Sequence, residues 1–523
     1  MGGIAGVGLI GTAIVVDSRR PSSAPATSAP TTSKPATATQ RYVSTDLTTS
    51  KMAGVQTGET APGLLLVQPQ ANGFNGVIMD NRGEPVWMAP TDLNLTDLRV
   101  QEYQGKPVLT YWTGQSVSGH GDGSCTILDT SYQRVATVQA APDMQADLHE
   151  FHLTPQGTAL LTAYPTVAAD LSSVGGPKDG YVLDCHICEI DIATGAVLFN
   201  WSSLAHIPVD ETYASVRNSS DADGKTPPNA FDAYHMNSID FDDENRLYIS
   251  SRHTHTIYCI DRSNGDIIWR MGGKSSDFAI EQRAKFAWQH HVRKRANGAF
   301  SIFDNHSRSS KSSDKSRGIL VNVDEQARTV TLQKAFSADL LSIAMGSMDL
   351  LDNGNWILGW GTQPVVTEHR PDGKVVLRVD GLGTGSYRAF RQAWVAAPLS
   401  VPDVAVRNSD NSDEVESSGT GSSGTGSSGA GSSGTGSKRT GSRGTGSMSD
   451  AGMIVYASWN GATEVRSWRI LTGDAEGSLR EASVVVRNGF ETAAKVRRAR
   501  YAAVEALDIG GNVLATSKVV RPT

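Results

Sequence analysis

Short runs of Val, Ile, Leu and Tyr alternate along this chain with Gly, Asn and Asp, and heptads or stripes at helical spacing are hard to find. The pattern predicts an all-β protein. One unit recurs: an apolar strand, an Asp, a turn bearing Gly or Asn, and a second apolar strand that often ends in Trp. Its copies are Gly76 through Asp80 to Trp87, Cys125 to Val138 around Asp129, Cys188 to Trp201 around Asp191, Tyr258 to Trp269 around Asp261, Leu320 to Leu332 around Asp324, and Val366 to Val379 around Asp372. Six copies at irregular spacing predict a six-bladed β-propeller with variable loops, rather than a strict solenoid.

Between these hairpins lies a second pattern, an inner hairpin turning at Gly or Asn. It starts at His149 and turns at Gly157, starts at His235 and turns at Asn245, starts at His290 and turns at Gly298, and starts at Ser347 and turns at Gly354; a plainer copy runs from Leu98 to Trp112. Two hairpins per unit predict four-stranded blades. His149, His235 and His290 then hold one position in three successive units, and innermost strands converge on a propeller axis. Three imidazoles are therefore expected to face one another. The far ends of equivalent hairpins supply Tyr164, Arg252, Asn305 and Trp360, with Arg252 the permanent charge among them.

Outside the expected propeller, residues 59–406, four further segments stand out. Residues 1–20 are apolar and signal-anchor-like, though short for a spanning helix. Residues 21–58 read as a Ser/Thr/Pro-rich stalk, 407–449 as a Gly/Ser-rich linker, and 450–523 as a small β-sandwich-like C-terminal module. The N-terminal pattern points to a secreted or membrane-anchored, extracytoplasmic protein. Asn94, Asn200, Asn218 and Asn305 open glycosylation sequons.

The formal charge of -7 and pI near 6.0 carry no basic excess, so nucleic acid is set aside. Cys185 and Cys188 form a CxxC spacing without the second ligand pair of a zinc site or the context of a redox motif, and core cysteines are expected. No metal or cofactor is expected. His120-Gly121-Asp122-Gly123 reads as a turn and Arg293-Lys294-Arg295 as a solvated turn; His152, His253 and His255 read as structural.

Asp147-Leu148-His149-Glu150-Phe151, Tyr234 to Asp240, Ile249-Ser250-Ser251-Arg252, Trp269-Arg270-Met271-Gly272-Gly273 and Trp288-Gln289-His290 resemble, in that order, the arylsulfotransferase family. The string Ser458 to Val465 is similar to the C-terminal module of its actinomycete and fungal branch. The resemblance implies a six-bladed propeller that moves a sulfuryl group from a phenolic sulfate ester to a phenolic acceptor, independent of an adenylyl-sulfate cofactor. It implies that His290 becomes transiently sulfated and that His149, His235, Asn237 and Arg252 bind the sulfuryl oxygens. Asn305, Tyr164 and Trp360 join Asn237 as candidate substrate-binding residues. No counterpart of the N-terminal β-sandwich of the bacterial enzymes is expected from these residues.

The chemistry suits these residue types. A neutral imidazole is a competent nucleophile, and a histidine adduct splits one displacement into two. A guanidinium offers a fork of donors to two oxygens. The alternative from another class is a non-catalytic cell-surface propeller binding module, which has no need for three imidazoles and an arginine on its axis. A quinone dehydrogenase or a lyase is a third reading, but the first would want a carboxylate cluster for calcium.

Overall fold

The recurring Asp of the outer hairpins is a turn device. Asp80, Asp129, Asp191, Asp261, Asp324 and Asp372 each accept a backbone N–H two or three residues ahead, from Arg82, Ser131, Thr194, Ser263, Ala327 and Lys374, at 2.7–3.0 Å. This side-chain bond mimics a backbone turn and reverses the chain where the strands must pair.

A computed structural model describes residues 38–409 and 452–523, apart from 72, 91, 219 and 220. The segment expected to be a signal-anchor, and most of the expected linker, lie outside the described residues. Six sheets carry the body. Leu95–Tyr103, Lys106–Val117, His120–Leu128 and Arg134–Val138 form the first in chain order; Phe151–Leu153, Thr158–Ala163, His186–Asp191 and Val197–Ser202 form the next. Met236–Phe241, Arg246–Ser251, Thr256–Asp261 and Ile267–Gly272 follow. Then come His290–Lys294, Phe300–Asp304, Arg317–Asp324 and Thr329–Phe336, with Ala279–Ile280 added in parallel at the outer edge. Ser347–Leu350, Trp356–Gly359, Val365–His369 and Val375–Asp380 accept Ala53–Gln56 as a fifth strand. In the sixth, Ser386–Gln392 pairs with Leu64–Pro69, so that a late strand completes a sheet begun early in the chain.

The expected six-bladed β-propeller is corrected here. Among the described residues the strands form separate open sheets, antiparallel except for the added Ala279–Ile280, and none closes on itself. The hydrogen-bond ladder ends at the outer strand of each sheet, and side chains do the joining: apolar clusters such as Trp112, Phe151, Leu161 and Cys188 fill the spaces between sheets. The fold is an all-β assembly of such sheets.

The first strands are tied to one another by buried charge. Glu150 pairs with Arg99 at 2.6 Å, Arg293 at 2.8 Å and Arg388 at 3.1 Å, and Arg388 also pairs with Asp97 at 2.7 Å. All five side chains are buried. Burial opposes ionisation of Glu150, yet the three guanidinium groups hold its carboxyl well below the usual range. The solvated-turn reading of Arg293-Lys294-Arg295 is thereby corrected, because each side chain has a carboxylate partner: Glu150, Asp242 and Asp349.

Four first strands share a register break, between Thr96 and Arg99, Met236 and Ser238, His290 and Arg293, and Ser386 and Ala389. A bulge re-aims the side chains at the break. Those residues are Asp97, Leu98, Asn237, His291, Val292, Tyr387 and Arg388.

Two segment boundaries are also corrected. The expected stalk contributes strands from Thr39 onward: Thr39–Arg41 pairs with Thr48–Ser50, and the backbone N–H groups of Val43 and Ser44 donate to Glu491. Asp403–Ser409 pairs along its length with Gly452–Ser458, so regular structure runs past the expected start of the linker at 407. These strands and Thr492–Arg497 form one sheet, and Arg480–Val486, Ser467–Gly473, Tyr501–Leu507 and Val513–Thr516 form another. Val406, Val455, Trp468, Ile470 and Val504 make a shared core. The four cysteines are buried and free, and Cys185 and Cys188 belong to different apolar clusters, as strand alternation requires.

Candidate functional site

His149 lies two residues before the strand Phe151–Leu153, His235 immediately before Met236–Phe241, and His290 opens His290–Lys294. Their rings are buried, and those of His149 and His235 meet at 4.7 Å in an edge-on contact. Arg252 follows the second strand of the His235 sheet, where its N–H donates to the His235 carbonyl at 3.0 Å. Tyr164 stacks on His149 at 5.7 Å and donates its hydroxyl proton to the Met236 carbonyl.

Each of the three imidazoles is held by its Nδ1. His149 donates to Asp147 at 2.7 Å and His235 to Asp232 at 2.5 Å. His290 donates to Asn305 Oδ1 at 2.7 Å, because the Asn305 amide nitrogen is committed to the carbonyls of Ser342 and Met345. Every Nε2 is left as the free or accepting position. Burial first, and Arg252 next, push His290 well below the usual imidazole range; burial, His149 and Arg252 do the same to His235. The 2.5 Å contact with Asp232 favours charge on His235, but burial beside other cations outweighs it, and we assign the ring as neutral. Burial lowers Arg252 to about 10, so the guanidinium stays charged at neutral pH.

Arg252 donates through Nη1 to His253 Nε2 at 2.7 Å and through Nη2 to the Ile343 carbonyl at 2.9 Å, and its Nε is buried without a partner. Most of its five N–H groups therefore remain for a ligand. Asn237 spends one amide N–H on the Gln289 carbonyl at 2.8 Å, leaving its second N–H and an unpartnered Oδ1. Asn305 orients His290. Trp360 is not brought to the group: its indole donates to Thr367 Oγ1 at 2.8 Å and packs on Phe303 in an apolar cluster. Of the adjacent pair, His290 interacts with Arg252, while His291 turns to the Met348 carbonyl and feels Arg293 and Arg388. Burial of Asn305 also removes it as a glycosylation acceptor.

Several residues here escaped the sequence reading. Asp147 and Asp232 stand two and three positions before their histidines, a signal visible in the sequence. His253, expected to be structural, stacks on His235 at 4.7 Å and holds Arg252. Trp288 lies under both Arg252 and Arg308, and Arg308 is clamped by Asp221 at 2.7 and 2.9 Å. His235, His255, Trp288, His291 and Met345 all have positive φ, a concentration of strained non-glycine residues around one site. A cavity of about 500 Å³ lies elsewhere, lined by Arg99, His152, Asp240 and Arg293, and includes none of the candidate site residues.

Asp232, His235 and His253 bring potential ligand atoms within 4.8 Å of one another. Both ring nitrogens of His253 are already used, Nδ1 toward the Asp232 carbonyl and Nε2 toward Arg252. A dication would displace those bonds beside a guanidinium, so we read the trio as a hydrogen-bonded support.

A sequence profile described as arylsulfotransferase (ASST) matches residues 99–381, more than half of the 523-residue chain. The chain belongs to the arylsulfotransferase family. Membership supports a sulfotransferase-type transferase activity in general, with small-molecule substrates of the phenolic sulfate and phenol class. The matched segment contains His149, His235, Asn237, Arg252, His290 and Asn305, but ends before Tyr387 and Arg388. No curated protein matches the chain. Among solved structures, a Bacteroides caccae protein of unknown function is 12% identical, covering 63% of this chain and 98% of that one at a TM-score of 0.39. Virginiamycin B lyase from Staphylococcus aureus is 10% identical, covering 62% and 87% at a TM-score of 0.31. Likenesses this distant carry no argument.

Proposed function

We propose that this chain is an aryl-sulfate sulfotransferase that works through a sulfo-histidine at His290, without an adenylyl-sulfate cofactor. The observation that carries the reading is the neutral, Nδ1-anchored ring of His290 beside the charged Arg252. Nε2 would attack sulfur as the sulfur–oxygen bond to the phenol breaks, and the electron pair leaves on the phenolic oxygen. A second phenol then attacks sulfur, and the nitrogen–sulfur pair returns to Nε2. Arg252 and Asn237 can donate to the sulfuryl oxygens, where charge is spread in the transition state, while His149 and His235 line the same space with their Nε2 atoms as acceptors. Trp288 and Tyr164 give the site aromatic walls.

We place the chain in the actinomycete and fungal branch on its C-terminal string, and outside the cytoplasm, secreted or membrane-anchored, on its N-terminal composition. The deciding experiment incubates the protein with 4-nitrophenyl sulfate, with and without a phenol acceptor, beside His290→Ala. Acceptor-dependent nitrophenolate release and a sulfuryl-sized mass adduct, both lost in the variant, support the reading. A folded protein giving neither across several donors overturns it in favour of a binding module.

A further inference from the structure

Sulfuryl transfer between phenols needs a proton to reach the departing oxygen and another to leave the incoming one. His149 and His235 are bound to carboxylates through Nδ1, and both nitrogens of His253 are taken. A fourth imidazole stands beside them. Ser118 and Gly119, with φ of 50° and 95°, close the hairpin from Lys106–Val117 to His120–Leu128 as a tight two-residue turn. The strand therefore starts at His120, and the expected turn at His120 to Gly123 is corrected by two residues.

The tip of this hairpin reaches the histidine cluster. A Cβ placed on Gly119 would sit 3.5 Å from Cε1 of His235. His120 stacks on Tyr164 at 5.8 Å, and Tyr164 stacks in turn on His149. The Gly121 N–H donates to Asp147 at 2.8 Å, pinning the hairpin to the carboxylate that holds His149. His120 is 9% exposed, and its Nδ1 is buried with no hydrogen-bond partner. A buried polar atom without a partner is destabilising unless something occupies it in a working state.

We propose that His120 is the proton carrier of the transfer proposed above, on which this inference rests. In the first half-reaction the protonated ring gives its proton to the phenolic oxygen as the sulfur–oxygen bond breaks and His290 bonds to sulfur. In the second, the neutral ring takes the proton of the acceptor phenol as its oxygen bonds to sulfur and the nitrogen–sulfur bond breaks. One cycle restores His120 to its starting state.

The test compares two donors. 4-Nitrophenolate leaves readily without a proton, whereas the phenolate of phenyl sulfate is far more basic and needs one. In His120→Gln, adduct formation on His290 should stay near the parent rate with 4-nitrophenyl sulfate and fall by about 10²-fold with phenyl sulfate. In His120→Ala, added imidazole should restore the phenyl sulfate rate. Equal slowing with both donors, or no slowing with either, overturns the proposal. The Ala variant guards against a fold defect in the Gln variant, since rescue by imidazole requires an intact site. Absence of an adduct in the parent overturns the sulfo-histidine reading itself, and this inference with it.

Discussion

The backbone N–H of Met345 donates to Nε2 of His290 at 3.2 Å, while Asn305 Oδ1 accepts from Nδ1 of the same ring at 2.7 Å. The lone pair required for attack is thus engaged by a residue whose own φ is 63°. A donor ester must take the place of that N–H, and Asn305 keeps the ring in the correct tautomer meanwhile.

Replacing Asn305 by Asp puts a carboxylate beside the ring and raises the imidazole pKa, so the lone pair becomes available only as pH rises through the new value. Adduct formation from 4-nitrophenyl sulfate should be flat from about pH 5 to about pH 9 in the parent, where burial and Arg252 hold His290 well below 6.5. In Asn305→Asp the rate should climb with pH across that range. Rapid-quench mass measurement reads both profiles, and a flat variant contradicts the assigned role of Asn305.

Glu150 is the common partner of Arg99, Arg293 and Arg388. Glu150→Ala leaves Arg99 and Arg388 with Asp97 and takes from Arg293 its ion-pair partner, and is expected to destabilise the fold by about 3–5 kcal/mol in denaturant unfolding. A loss under about 1 kcal/mol would mean that water or rearrangement replaces the carboxylate readily.

Tyr387→Phe removes a 2.8 Å bond to the His149 carbonyl. The expected stability loss is about 1–3 kcal/mol, that of a buried carbonyl left unpaired. Arg388 also donates to the Asn237 carbonyl at 2.8 Å, so Arg388→Met should lower turnover as well as stability, which calorimetry and the two-donor assay read separately.

Acid should weaken the fold through histidines that are buried neutral. Burial, then nearby arginines, lowers His152 and His255 from 6.5 to about 3 and His290 and His291 well below 6.5, and burial with His235 and Arg252 lowers His253 likewise. Below the unfolded value near 6.5 the unfolded chain binds more protons than the folded one, so stability falls as pH drops from about 6.5 toward about 3. Melting temperatures across that window should decline more steeply than in a His152→Phe, His255→Phe double variant.

The Asp and Gly turns of the outer hairpins, the pairing of inner and outer strands, and the equivalent starts at His149, His235 and His290 were legible because they follow from local sequence: period-two alternation and turn chemistry act over a few residues. Trp360 shows the limit of that reasoning. It holds the same strand end as Arg252, but equivalence along a strand does not fix where a side chain turns once the ladder stops, and an indole gains more by packing on Phe303. The closed propeller went further than repeats allow, since six similar units do not specify a sheet that closes on itself.

By itself, then, the sequence determined the all-β class, the hairpins and the histidine positions. The tertiary structure decided what surrounds them. It placed bulges that turn Asn237, Tyr387 and Arg388, it made Arg293 a buried partner of Glu150 rather than a solvated charge, and it folded the His120 hairpin against His235. These contacts join residues far apart in the chain, and their energies come from burial and charge pairing that exist only once the sheets have come together.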